Sequence, residues 1–219
     1  MPLSEFSLID RYFAARTPRR PDVVLGIGDD CALLRPPPDQ ELAITLDTLV
    51  ADVHFFAGTD PEGIGHKALA VNLSDLASMG AIPAWATLAL TLPRADEDWL
   101  ERFCRGLFAL ADRHDVQLIG GDTTHGPTTV ITLQAHGFVP PGAALRRDGA
   151  RPGDNIYVTG TPGDAGLALA AAYGKTTVPA EHRDYLQTRL DRSEPRIAQG
   201  VSMRGIASGL DVATHNLSG

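Results

Sequence analysis

The chain has 219 residues, a formal net charge of −8 and a hydrophobic fraction of 43%. That length suits one large domain or two modest ones, and the apolar content is ordinary for a globular protein with a core. The acidic balance argues against general nucleic-acid binding, and no apolar run approaches the ~20 residues a membrane helix requires.

Before residue 20, SEFSLIDRYF spaces Phe6, Ile9 and Phe13 as a helix, with Ser4 or Ser7 as its cap. Acids come early and no apolar h-region is present, so no secretory leader is expected. The only cysteines, Cys31 and Cys104, form no C-x-x-C. A disulfide framework or zinc site is therefore not expected, and the expected compartment is cytoplasmic.

VVLGIGDDCALL (23–34) reads as a buried strand ending in two adjacent acids, Asp29 and Asp30. PPPDQ turns the chain into a second strand, ELAITLDTLV. PEGIGHKALAVNLSDLASMG carries one helical stripe through Ile64, Ala68, Val71, Leu76 and Met79. Residues 84–92 alternate as a strand. DEDWLERFCRGLFALADRHD is the clearest helix, with acids in its first turn and an apolar face of Trp99, Leu100, Phe103, Leu107 and Leu110. VQLIGGD and TTVITLQAHGFV add two strands.

The order α-β-β-α-β-α-β-β implies an α/β (α+β) domain over 1–139 with a mixed sheet. Residues 140–154, rich in Pro, Gly and charge, read as a linker. Beyond it NIYVTG is expected as a strand, AGLALAAAYG and EHRDYLQTRL as helices. Together, 155–219 make a partial C-terminal α/β domain, since ~70 residues bury too little surface to be comfortable alone.

Asp29, Asp30, Asp47, Asp75 and Asp122 each stand among apolar or small residues, unlike the acids of DEDWLER. Two unit charges about 4 Å apart at an effective dielectric near 20 repel by roughly 4 kcal/mol. Converging acids therefore need arginine partners, shared protons or divalent cations. Arginines are scarce nearby, and carboxylates beside Thr and backbone oxygens suit Mg²⁺. The alternative is that each acid is a separate turn or cap residue. Only Lys67 and Lys175 are lysines, and neither follows a G-x-x-x-x-G frame, so a P-loop is absent. No H-x-x-x-H spacing suggests zinc, and His54 alone reads as structural or functional. GTPGDAG (160–166) is either a phosphate cradle or a plain turn into a helix.

GIGDDCAL, TLDTLVADVHF, HKALAVNLSDLASMGAIP, LIGGDTTHG, LRRDGARPGD and IYVTGTPGDAGLAL run in one order through nearly all of residues 1–170. In this the chain resembles the thiamine-monophosphate kinase family of the aminoimidazole-ribonucleotide-synthetase-like superfamily. The resemblance implies an enzyme that phosphorylates thiamine phosphate to thiamine diphosphate with ATP, assisted by Mg²⁺. It implies metal ligation by Asp30, Thr45, Asp47, Asp75 and Asp122. It further implies nucleotide contacts at Gly121, Asp122 and Arg146, a thiamine-phosphate contact at His54, and a homodimer formed through the N-terminal domain. No side chain is singled out as catalytic, because the acceptor phosphate is itself largely ionised at neutral pH.

Two departures stand out. Leu46 replaces a family hydroxyl residue. Leu210-Asp211-Val212-Ala213-Thr214-His215 stands where the family has I-D-x-S-D-G-L, so Asp211 matches the first metal-binding acid and the following Ser and Asp are absent. A catalytically silent dimeric scaffold, or a sister ATP-dependent synthetase, are the competing readings.

Overall fold

The computed structural model describes residues 8–16 and 19–211. Ser4, Phe6 and Ser7 of the expected first helix lie outside the described residues, as do Val212, Ala213, Thr214 and His215. From Leu8 the chain is helical, passing through a π-helical turn at Asp10–Ala14 that buries Tyr12 and Phe13.

Six strands follow. β1 (Val23–Leu25) and β2 (Leu33–Leu34) make a two-stranded antiparallel ribbon. β3 (Glu41–Val50), β4 (Ile82–Leu92), β5 (Gln117–His125) and β6 (Val130–Val139) form a mixed sheet in the order β3-β6-β4-β5. Only β4 and β5 run parallel, joined by a helical crossover as parallel pairs require.

Two helices cover one face: α1 (Pro61–Ser78) and α2 (Glu97–Arg113). The caps explain where they start. Asp60 accepts from Glu62 N ahead of Pro61, and Asp96 accepts from Trp99 N. The main core fills the space between helices and sheet, with Ile64, Leu69, Leu73, Leu100, Phe103, Leu107, Leu88 and Leu133 all buried. On the opposite face a small cluster of Ala84, Trp85, Ile119 and Phe138 is covered by Val23, Ala32 and Leu34 of the ribbon segment. Arg20 closes that end. It forks onto Asp22 (3.0 and 2.8 Å) and reaches the Asp115 carbonyl (2.7 Å), while Trp85 Nε1 donates to Asp22 (3.1 Å). Burial raises the Asp22 carboxyl's pKa, but these bonds outweigh it and hold the group below its ordinary value.

The ribbon corrects the reading of VVLGIGDDCALL as a buried strand. β1 lies at a rim, Val24 is exposed, and so are Asp29 and Asp30. NIYVTG is a second correction. Residues 155–160 form no strand among the described residues, and Ile156 is 93% exposed. No described strand lies alongside to complete a ladder, and an extended segment without a partner gains none of the bonds that define a strand.

The later helices are α3 (Asp164–Ala172), α4 (Ala180–Asp191) and α5 (Ile197–Ser202). α3 and α4 pair with each other, and α5 lies against α1, where a Cβ on Gly200 would meet the Ala77 carbonyl at 2.0 Å. Among the described residues no helix is long and apolar enough to cross a membrane.

Candidate functional site

Alternation along β3 sorts its side chains onto two faces. Ala43, Thr45, Asp47 and Leu49 turn toward the helices, and Asp47 lies opposite the buried Leu133 of β6. α1 returns across this strand and brings Asp75, 28 positions away in sequence, beside it. Thr45 Oγ1 donates to Asp75 Oδ2 at 2.6 Å. Partial burial raises the Asp47 carboxyl's pKa, the Asp75 charge raises it further, and only His54 opposes them. Among the described residues no arginine or lysine pairs with either acid. The remedy of arginine partners is thus not used here.

Leu46 faces the other way and is 55% exposed. The departure from the family at this position therefore changes the outer face of β3, not the side of the acid pair.

His54 belongs to a tight loop closed by the Ala51–Phe55 bridge. Val50 N donates to its Nδ1 (3.0 Å), so Nε2 carries the proton and is left for another partner. It lines a small, open pocket with Phe56, Lys67, Leu169, Tyr173 and Asp191.

The remaining acids do not join the pair within one chain. Among the described residues no three His, Cys, Asp or Glu side chains gather as a metal site. The sheet order gives the reason for Asp122. It lies on β5, paired with Ala89 of β4, and β4 and β6 stand between it and β3, about 14 Å at ~4.8 Å per strand. Asp30 lies in the exposed loop after β1, its backbone N–H held by Asp29 Oδ1 at 2.8 Å. Asp29 thus orients its neighbour. Asp211 is exposed and accepts from Arg147 at 2.9 Å. Arg146 is exposed and forks onto Asp148 (2.9 and 2.7 Å), which holds the Asp148 carboxyl below its ordinary range. Gly121 brings β5 so close to β4 that a Cβ there would sit 1.9 Å from the Leu88 carbonyl. GTPGDAG forms a turn into α3, with the Asp164 carboxylate at the start of that helix bonded by Tyr185 (2.7 Å) and Thr161.

Lys67 is the feature that sequence reasoning passed over. The signal was present, since it is one of two lysines and precedes Asp75 by eight residues, on the same face of α1.

Comparison with known proteins places this architecture. Residues 28–139 match the family "AIR synthase related protein, N-terminal domain". The chain belongs to that family. The thiamine-monophosphate kinase of Escherichia coli (strain K12) is 58% identical over 209 residues, 95% of this chain and 64% of that protein. The chain thus spans just under two thirds of that family member. The crystal structure of thiamine-monophosphate kinase from Stenotrophomonas maltophilia K279a superposes with a TM-score of 0.83 at 52% identity, covering 95% of this chain and 67% of that one. A complex of AaThiL with AMPPCP and TMP superposes at 0.73 with 29% identity, over 95% and 66% of the two chains.

Proposed function

We propose that the chain carries the nucleotide and metal side of a thiamine-phosphate kinase, which moves the γ-phosphoryl group of ATP onto thiamine phosphate. The observation that carries the reading is the Asp47–Asp75 pair with Thr45, half-buried, mutually repelling and, among the described residues, without an arginine or lysine partner. Mg²⁺ is commonly held by one or two carboxylates plus substrate phosphates, so two acids of this kind fit it. When bound, the ion supplies neutralising charge for two polyanions brought in line. The chain's own part is to hold the acids at fixed spacing, to offer His54 Nε2–H to the acceptor and to shape the cavity beside it. The likeness to thiamine-monophosphate kinases, one of them in complex with AMPPCP and TMP, supports this choice of substrates.

To Gly121, Asp122 and Arg146 we assign nucleotide contacts, with Arg146 exchanging Asp148 for phosphate. Asp30, Asp122 and Asp211 are assigned to further Mg²⁺ coordination. Residues 1–139 are assigned as the ATP-binding domain, 140–154 as a linker and 155–219 as part of a second domain. The unpaired cysteines support a cytoplasmic setting.

The decisive assay is thiamine diphosphate formation from thiamine phosphate, ATP and Mg²⁺. Product at a rate that depends on Mg²⁺ is expected; tight binding of both substrates without product would favour the silent scaffold.

A homodimer through β3 completes the proposal. This edge strand is ten residues long and presents Leu42, Ile44 and Leu46, each about half exposed, on its outer face. Long, apolar, unpaired edges invite strand pairing with another chain. Sedimentation should give twice the monomer mass, and Leu46→Arg should shift it to the monomer; a monomeric wild type would rule the dimer out.

A further inference from the structure

The cavity beside His54 has one wall from the loop after β3 and α1, and another from α3 and α4. Phe56 from the first wall and Tyr173 from the second touch edge to face, with ring centroids 5.5 Å apart. What keeps the two walls at this distance is a run of four consecutive residues at the end of α4. Asp191 Oδ1 lies 3.5 Å from Lys67 Nζ, Arg192 reaches Glu62 at 3.0 Å, and the Ser193 carbonyl bonds the buried His66 Nε2 at 2.8 Å. Glu194 pairs with Arg113 at 3.0 Å.

These links are not equivalent. Arg192–Glu62 and Arg113–Glu194 are substantially exposed, and such pairs contribute little. Ser193 offers a backbone carbonyl, which water can replace once the segment lifts. Lys67 and Asp191 are different: their side chains are only 13% and 16% exposed, and both line the cavity. Burial pulls the Lys67 ammonium's pKa down, and Asp191 opposes that pull. Asp191 is held from its own side as well, since Gln187 Nε2 donates to Oδ2.

We infer that Lys67 is a positioning residue: by anchoring Asp191 it fixes the α3–α4 pair against α1 and so holds the Phe56–Tyr173 contact that closes one side of the acceptor pocket. This rests on the assignment of His54 and its cavity to the acceptor. Lys67 touches neither acid of the metal pair. Asp75 lies eight residues further along α1, about 12 Å at 1.5 Å per residue, so a change at Lys67 is separable from the nucleotide side.

Two variants of the full chain test the inference. Lys67→Met keeps much of the stem but strands the Asp191 carboxylate in a nearly dry wall, which drives the end of α4 toward water. Lys67→Met with Asp191→Leu removes both charges together, and an apolar pair of similar bulk commonly replaces a buried ion pair without loss. Hydrogen–deuterium exchange reports docking, and calorimetry reports affinity for thiamine phosphate and for Mg²⁺–ATP. The single variant should exchange faster through α4 and bind thiamine phosphate about tenfold more weakly, while Mg²⁺–ATP affinity holds within about twofold. The double variant should recover both.

A double variant as weak for thiamine phosphate as the single one would overturn the inference, because Lys67 would then contact the ligand itself. Unchanged exchange in the single variant, or equal loss of both ligands, would overturn it too. If the wild type binds no thiamine phosphate, the acceptor assignment falls, and exchange with its rescue alone decides whether Lys67 fixes the wall.

Discussion

Asp75→Asn is expected to raise the melting temperature of the metal-free chain while removing its Mg²⁺-dependent affinity for ATP. The two effects share one cause. Burial first, and the Asp75 charge second, raise the Asp47 carboxyl above its ordinary value. A carboxyl raised on folding contributes stability that is fully present below its unfolded pKa, about 3.9, and lost as pH rises through the folded value. Above that folded value the fold bears the repulsion of the Asp75 charge on the Asp47 carboxylate. A neutral asparagine in place of Asp75 removes it, and the amide oxygen still accepts the Thr45 hydroxyl that now bonds the carboxylate at 2.6 Å. The variant's melting temperature should therefore exceed the wild type's near pH 7, and the gap should close on acidification as Asp47 takes up a proton.

With Mg²⁺–ATP present the order reverses. Ligand that binds only the folded state stabilises it by mass action, and the wild type alone should gain. Calorimetry should show Mg²⁺–ATP affinity falling about tenfold or more in the variant, which is roughly 1.4 kcal/mol of binding. Unchanged affinity would remove Asp75 from the metal site. Unchanged metal-free stability would mean that water already screens the pair.

Much of the scaffold beneath this pair is legible in the sequence, and the reasons are local. The α2 segment declares itself because acids fill its first turn and Leu100, Phe103, Leu107 and Leu110 recur at helical spacing; all four are buried. β3 is legible as an apolar run after the PPPDQ turn, but which face it buries is not, since Leu42, Ile44 and Leu46 point outward and Thr45 and Asp47 inward. β2 has only two residues, too few to show a period. NIYVTG has the composition of a strand but no described neighbour to pair with, and composition does not reveal partners.

The site divides the same way. Apolar flanks single out Asp47 and Asp75 as unusual acids, and the structure joins them. The same flanks single out Asp122, yet sheet order separates it from β3, and order is a property of the whole chain. Lys67 carries no motif at all. Its surroundings come from Asp191, 124 positions later.

Gly106→Ala should cost the fold far more than a single methyl group suggests. α1 and α2 cross at two glycines. A Cβ on Gly106 would stand 1.8 Å from the Glu62 carbonyl oxygen, and one on Gly65 would stand 2.0 Å from that of Phe103. Both obstacles are backbone, so no rotamer change relieves them, and the helices must separate along a seam that packs Phe103, Leu107 and Leu69. Overpacking a core costs typically about 1–3 kcal/mol, against a helix-propensity gain of about 1 kcal/mol for replacing Gly by Ala. With backbone on the far side of the contact, the upper end of that range applies, and a net loss of about 2 kcal/mol or more is expected. Gly166 is the control. It lies within α3 with nothing inside 4 Å of where an added methyl would stand, so Gly166→Ala should gain up to about 1 kcal/mol. Denaturant titration distinguishes the two, and equal stability in both would refute the close-crossing argument. The function should register the first as well: α1 carries Lys67 and Asp75, so a helix pushed off α2 shifts Asp75 against Asp47. Mg²⁺–ATP affinity should fall in Gly106→Ala and hold in Gly166→Ala.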